Sequence, residues 1–232
     1  SLSIAKGETV GLVGESGSGK TSLGRILLRL YEPSEGQLLF DGFDITNESP
    51  ARLIPLRRRM QMIFQDPQSS LNPRHTVRRI LATALQLHGL DADTKDLASI
   101  LDRVGLPSST LNRYPHQLSG GQRQRVGIAR AIALKPDFIV ADEIVSGLDV
   151  STQAQVLDLL RSLRAEMGMA LAFISHDLSV VRHLCEKVVI MREGEIIEEG
   201  DTAQVFAEPR TSFTRTLIDS IPLPVVRPGW LD

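Results

Sequence analysis

The stretch GLVGESGSGKTSLGRILL, from Gly11 to Leu28, limits what this chain can fold into more than any other. It reads as a strand, a glycine-rich turn and a helix. Gly14, Gly19, Lys20 and Thr21 fit G-x-x-x-x-G-K-[ST], the spacing of a phosphate-binding loop. Glycines let backbone N–H groups converge on phosphate oxygens without side-chain clash. The following helix points its N-terminus and partial positive charge at the same place. Lys20 adds a point charge near the β and γ phosphates, and the Thr21 hydroxyl can ligate Mg²⁺. A Gly/Ser-rich turn with a chance lysine is the competing reading. It loses because an apolar β-type run precedes the loop, and Leu23, Ile26, Leu27 and Leu30 follow at helical spacing.

The rest of the composition narrows the class. The 232 residues suit one large domain or one domain with an inserted lobe. With 42% hydrophobic and 23% charged residues the chain is ordinary for a soluble globular protein. A net charge of −2 gives no reason to expect nucleic-acid binding by bulk electrostatics. The single cysteine, Cys185, excludes a disulfide framework and a Cys-rich metal site, and reads as structural, at a helix end beside a strand. No apolar stretch approaches the roughly 18 residues that span a bilayer, and no signal peptide precedes the first strand, so membrane association is expected through a partner. The opening SLSIAKGETV reads as the end of one strand turning into the next, as in a fragment that lacks its first strand or strands.

Along the chain, Val10–Val13 is expected as a buried strand and Thr21–Leu30 as a helix. Residues 32–36 read as a turn, and QLLFDGFDI as a hairpin bending at Asp41-Gly42. Arg52–Arg59 is a solvated basic helix end, residues 60–64 a short buried strand ending at Gln65, and DPQSSLNPRHT a loop. From about Thr76 to Leu118 the pattern is mostly helical, with stops at Gly89 and Gly105. Strands return with DFIVADE. A helix from Ser151 to Gly168, capped by Ser151 or Thr152, follows. Then come the strand MALAFISHD, the helix LSVVRHLC and a hairpin turning at Glu193-Gly194. Apolar runs alternating with helices mean a mainly parallel α/β sheet, whose ligands sit at the carboxyl ends of the strands. Gln65, Asp142, Glu143 and His176 all fall there.

Asp142 follows FIVA at such a strand end and can complete a Mg²⁺ shell with Thr21. Glu143 points differently and can polarise an attacking water as general base. An acidic pair facing solvent is the bland alternative, and the phosphate-loop motif upstream argues against it. His176 can donate a hydrogen bond to a γ-phosphate, and the Gln65 amide can contact water or Mg²⁺. Ser119-Gly120-Gly121-Gln122 opens another helix with glycines and a hydroxyl, an arrangement that holds an anion. An ordinary serine cap would look the same. Since Gly14–Thr21 already cradles one nucleotide, a second cradle suggests service to a nucleotide held by another copy.

In its motifs and their order the chain resembles the ATP-binding subunit of ABC transporters over nearly its whole length. GESGSGKT looks like Walker A, Gln65 the Q-loop, LSGGQ the signature, DFIVADE Walker B with its catalytic glutamate, Ser146–Asp149 the D-loop and His176 the H-loop. IFQDPQSSLNPR and EPRTSFTRTLIDSIP resemble the oligopeptide/dipeptide importer branch. The resemblance implies an α/β P-loop NTPase of ABC type. It would have a mainly parallel core (residues 1–65 and 137–205), an antiparallel β portion, an inserted helical lobe (66–136) and a branch-type tail (206–232). It implies ATP and Mg²⁺ as ligands. Gly14, Glu15, Ser16, Gly17, Ser18, Gly19, Lys20, Thr21 and Ser22 would bind one nucleotide and Ser119, Gly120, Gly121 and Gln122 the partner's. Thr21, Gln65 and Asp142 would hold the metal, and Glu143, His176 and Gln65 would act in hydrolysis.

The implied partners are a second nucleotide-binding domain, transmembrane permease subunits and, indirectly, a solute-binding protein; direct contact with nucleic acid is not expected. The implied place is the cytoplasmic face of the inner membrane. Ile144, Val145 and Gly147 depart from the family's frequent DEPTSALD, at positions that are not themselves catalytic. The aromatic that stacks on adenine in the family would lie upstream of this chain. Two rivals come from other classes. A soluble ABC-type ATPase acting on DNA or ribosomes would typically show long heptads or tandem P-loops, and this chain shows neither. A non-hydrolysing binding module conflicts with intact Glu143, His176 and LSGGQ.

Overall fold

Unbroken apolar runs become strands buried on both faces, and the computed structural model, which describes residues 1–221, has three of them side by side. In chain order the elements are β1 (Thr9–Val13), α1 (Lys20–Leu27), β2 (Leu39–Phe40), β3 (Phe43–Asp44), α2 (Pro50–Arg59), β4 (Met60–Ile63), α3 (Pro67–Ser70), α4 (Val77–Gln86) and α5 (Thr94–Arg103). Two 3₁₀ turns, Ser108–Asn112 and Pro115–Gln117, lead to α6 (Gly120–Ile132). Then follow β5 (Phe138–Asp142), α7 (Val150–Met167), β6 (Ala170–Ser175), α8 (Leu178–Leu184), β7 (Lys187–Arg192), β8 (Glu195–Asp201), α9 (Thr202–Ala207) and α10 (Ser212–Asp219).

Six strands form one sheet in the order β4-β5-β6-β1-β7-β8. All neighbours are parallel except β7 and β8, which pair as an antiparallel hairpin. Alternate residues of each strand supply two separate cores. Gly11 and Val13 face the side that carries α8, where Ile139, Leu171, Phe173 and Val188 join the helical lobe. Val10 and Leu12 face α1 and the β2–β3 hairpin, with Val140, Ala172 and Ile174 beside them. The hairpin turns at Asp41-Gly42, both at positive φ, as the Asp-Gly pair requires.

Several expectations shift. The opening residues 1–5 pair with no strand, and the turn lies at Lys6-Gly7. The first helix ends at Leu27, one turn early, and Leu30 is 46% exposed. Arg29 adopts φ +52, and Leu30 N–H donates to Arg25 O, closing the helix in a Schellman turn. The buried Arg29 side chain fixes that stop by donating to Ile45 O at 2.9 Å. The polar DPQSS segment holds one helical turn, capped by the Asp66 carboxylate. Asp149, not Ser151 or Thr152, caps α7, accepting from Thr152 N–H and Oγ1. Arg59 ends the basic run in pairs with Asp41 and Asp137, while Arg57 and Arg58 remain exposed. Of the segment resembling the branch-specific tail, α10 is seen and residues 222–232 lie outside the described part.

Helix α1 lies close on the sheet because Gly24 has no side chain. A Cβ there would stand 2.8 Å from Ile174 Cδ1 and 2.9 Å from Val140 Cγ1. Gly24→Val should therefore destabilise the fold by about 1–3 kcal/mol through overpacking. Valine's helix preference over glycine offsets only a fraction of that. Urea unfolding measures it, and an unchanged midpoint would show that the helix–sheet contact is slack.

Candidate functional site

The carboxyl edge of the sheet gathers the polar residues because four adjacent strands run the same way. From β4 to β1 the edge presents Gln65, then Asp142 and Glu143, then His176, then the loop after Val13. The loop is pressed against the β7–β8 hairpin. A Cβ on Gly14 would lie 2.2 Å from Met191 O and 2.7 Å from Ser18 Oγ, so only glycine fits. Gly194 N–H donates to Ser18 O at 3.1 Å, and Ser18 N–H to Glu15 O at 3.2 Å. Glu15, Ser16, Gly17 and Ser22 are exposed along the rim, while Ser18 and Lys20 are buried.

Lys20 donates to Gly14 O at 2.8 Å, Glu15 O at 2.7 Å and Ser18 Oγ at 3.2 Å. Only 5% of it is exposed. Burial pulls its pKa below the ordinary lysine value, against the upward pull of Glu143 and Asp142. Thr21 Oγ1 donates to Asp142 Oδ1 at 3.1 Å. Asp142, 4% exposed, is pushed above the usual carboxylate range by burial, although the Thr21 hydrogen bond opposes this. One hydroxyl beside one carboxylate is a sparse, hard donor set. Among the described residues no group of three or more His, Cys, Asp or Glu stands ready for a metal. The set fits an ion such as Mg²⁺, which takes most of its ligands from phosphate and water.

Glu143 leaves the strand at φ +46, which turns its side chain away from that of Asp142, while its N–H still donates to Ile174 O. Gln65 Nε2 donates to Glu143 Oε2 at 2.9 Å, and His176 Nδ1 stands 3.6 Å from the same oxygen. Behind Gln65, the Arg130 guanidinium of α6 lies over the Phe64 ring at 5.8 Å and donates to Ser70 O. The sequence brought these strand ends to one edge; it gave no sign of the Arg130 brace, or of Met191 and Gly194 beneath the loop, because those contacts join distant segments. Cys185 is buried and its thiol is pushed up by burial, in keeping with a structural role.

The second glycine-rich helix start stands apart. Ser119 Oγ accepts from Gln122 N–H at 3.3 Å, and Gln122 Oε1 accepts from Ser119 N–H at 3.1 Å, a closed capping box. Gly121 packs on α7, where a Cβ would be 2.5 Å from Thr152 Cγ2. No hydrogen bond among the described residues joins Ser119–Gln122 to the Gly14–Thr21 loop. Clefts of about 490 and 720 Å³ open at the opposite, amino-terminal edge of the sheet, and neither is lined by a residue of that loop. The exposed crown of the loop, residues 15–17, thus lies outside both clefts.

Residues 1–146 match the family model described as ABC transporter. A Brucella ovis protein provisionally named as a peptide import ATP-binding protein is 52% identical over 97% of this chain and 72% of its own length. The oligopeptide transport ATP-binding protein OppF of Bacillus subtilis is 47% identical over 97% of this chain and 75% of its own. Among solved structures, a dimeric ATP-binding cassette in a post-hydrolysis state, bound to ADP and Pi, superposes with a TM-score of 0.78 at 32% identity. That match covers 87% of this chain and 88% of the other.

The buried Asp142 gives a pH signature. A carboxyl whose folded pKa is raised favours the fold when protonated, and that contribution is lost as pH rises through the folded value. Asp142→Asn keeps an acceptor for Thr21 without the desolvated charge. Measured without nucleotide, the variant should melt higher than the parent at pH 8, the gain shrinking as pH falls into the ordinary carboxylate range. A variant that melts lower at pH 8 would contradict the assigned burial cost.

Proposed function

Because this chain belongs to the ABC transporter family and is one of its ATP-hydrolysing subunits, we propose that it is the motor of a peptide-type importer, driven by ATP-dependent closure of two such domains. The observation that carries the reading is the Gln65–Glu143–His176 contact set beside the Lys20 loop. It puts a candidate base, a hydrogen-bond donor and a phosphate cradle on one sheet edge. The choice of peptides draws on relatives 47–52% identical over nearly the whole chain.

In this reading the free N–H groups of the Gly14–Gly19 loop and Lys20 hold the β and γ phosphates. Thr21 and Asp142 would hold Mg²⁺, with Gln65 as a further contact; the ion neutralises phosphate charge when bound. Glu143 takes a proton from a water as its oxygen attacks the γ phosphorus, and the bond to the β–γ bridging oxygen breaks to leave ADP and phosphate. His176 hydrogen-bonds the γ-phosphate, and Gln65 moves off Glu143 to admit the water. Ser119–Gln122 of a second copy covers the exposed loop, which explains why the two cradles do not meet within one chain.

Closure of the pair switches permease subunits between inward- and outward-facing states, and hydrolysis resets them. The loop after Gln65 and the helical lobe, residues 66–136, grip the permease. Arg130 of that lobe lies over Phe64, the residue before Gln65. No helix of the described residues is long and apolar enough to cross a membrane. In this reading the chain sits at the cytoplasmic face of the membrane, held by those subunits, with a solute-binding protein delivering the peptide.

Two experiments test this. Glu143→Gln should keep ATP affinity while turnover falls about 10²–10⁴-fold, the usual loss with a general base; full turnover would remove Glu143 from its role. The full-length native protein, isolated in mild detergent, should carry two multi-span membrane proteins and a second ATPase. Recovery with ribosomes or DNA, or without any membrane partner, would overturn the transport reading and leave the ATPase chemistry standing.

A further inference from the structure

The hairpin of β7 and β8 does more than extend the sheet. It touches the phosphate loop at three points. Gly194 N–H donates to Ser18 O, Met191 O lies against Gly14, and Gly194 Cα would stand 3.5 Å from a Cβ on Gly19. Its pairing is irregular there. Ile190 faces Glu198, but Met191 faces Ile196, so the register slips between Ile190 and Met191. A bulge bends its strand and re-aims the neighbouring groups. Here the extra residue, Ile197, is on β8, opposite the step from Ile190 to Met191, the residue whose carbonyl meets Gly14.

Helix α10 holds the same hairpin from the other side. Glu198 is buried, and its two carboxylate oxygens accept from Arg210 N–H at 2.9 Å and Thr211 N–H at 3.2 Å, at the cap of α10. Burial pushes this carboxyl up, but the hydrogen bonds from Thr214, Arg210 and Thr211 outweigh it and hold it below the ordinary glutamate value. The Arg192 guanidinium, two residues before Gly194, lies over the Phe213 ring of α10 at 5.1 Å. One helix thus grips the hairpin at both sides of its bulge. The helix lies beyond residues 1–146, the part that matches the family model.

We infer that α10 is a positioning element for the phosphate cradle, holding the Glu193-Gly194 turn under Gly14 and Ser18 through Phe213 on Arg192 and through Glu198. The inference rests on the ATP-binding reading of that loop. Loss of the grip lets the turn drift, and the converging N–H groups lose their aim at the phosphates. Phe213→Leu keeps the apolar packing and removes the ring face. Arg192→Met keeps the stem and removes the charge; the exposed pair with Glu193 that it also loses is worth little.

The test uses the full-length chain, with ATP affinity from calorimetric titration, ATPase kinetics and melting without nucleotide. Each single variant should weaken ATP binding about 2–5-fold, the range for a solvent-facing cation–π contact. KM for ATP should rise with it while kcat holds. The double variant should be no weaker than the weaker single one, because both remove the same contact. Phe213→Trp should restore affinity. Glu198→Gln, which keeps one acceptor but sets an amide donor against the other of the two N–H donors, should weaken binding about 5–10-fold, as expected of an unsatisfied buried polar group. Unchanged affinity with only a lower melting temperature, or additive losses in the double variant, overturns the inference. If the parent chain itself fails to bind ATP, the phosphate-loop reading falls instead, so the two failures are told apart.

Discussion

Everything at the site depends on strands β4, β5, β6 and β1 running in one direction. A parallel pair needs a crossover, so each strand's carboxyl end is followed by a segment that turns back over a face of the sheet. The residue after each strand therefore lies on a single rim. That is why Gln65, Asp142, Glu143, His176 and the Gly14 loop, spread across more than 160 positions of sequence, share one edge. An antiparallel neighbour in the middle would have carried one of them to the far side. Among the described residues the one antiparallel member of this sheet, β8, lies at its border, against β7.

The rim is held at some cost to the fold. Lys20 and Asp142 are both almost fully buried, and burial shifts each toward its neutral form. Their neighbours compensate in part. Lys20 has three oxygen acceptors and Asp142 has the Thr21 hydroxyl. Glu143 holds a left-handed backbone conformation, of a kind that persists only where the surroundings enforce it. These are poor choices for a stable domain and sound ones for the phosphate site proposed above.

Much of this was legible in the sequence. The apolar runs gave β1, β5 and β6, and the residues at their ends put the Gly14–Thr21 loop and Asp142–Glu143 on one edge, where the structure has them. These signals are local: a run of buried residues and a turn beside it. What escaped was set by contacts between distant segments. Leu30 keeps helical spacing yet lies outside the helix, because Arg29 is pulled onto Ile45 O. Asp149 outcompetes Ser151 and Thr152 as a cap, since a preference among capping residues does not fix which one reaches the free N–H groups. The grip of Arg130 on Phe64 and Ser70 joins residues some sixty positions apart, and no pattern along the chain announces it.

The capping box at Ser119 has a consequence for how this surface changes over time. Its two side chains each accept from the other residue's main-chain N–H, so what the helix offers the outside is the main-chain N–H of Gly120 and Gly121. If a second copy binds there, as proposed above, it meets a surface made of backbone, which carries no side-chain alphabet. Drift in the residues around it leaves the message unaltered, and only a change of shape can rewrite it. Thr152 sets that limit, because the space beside Gly121 is already full.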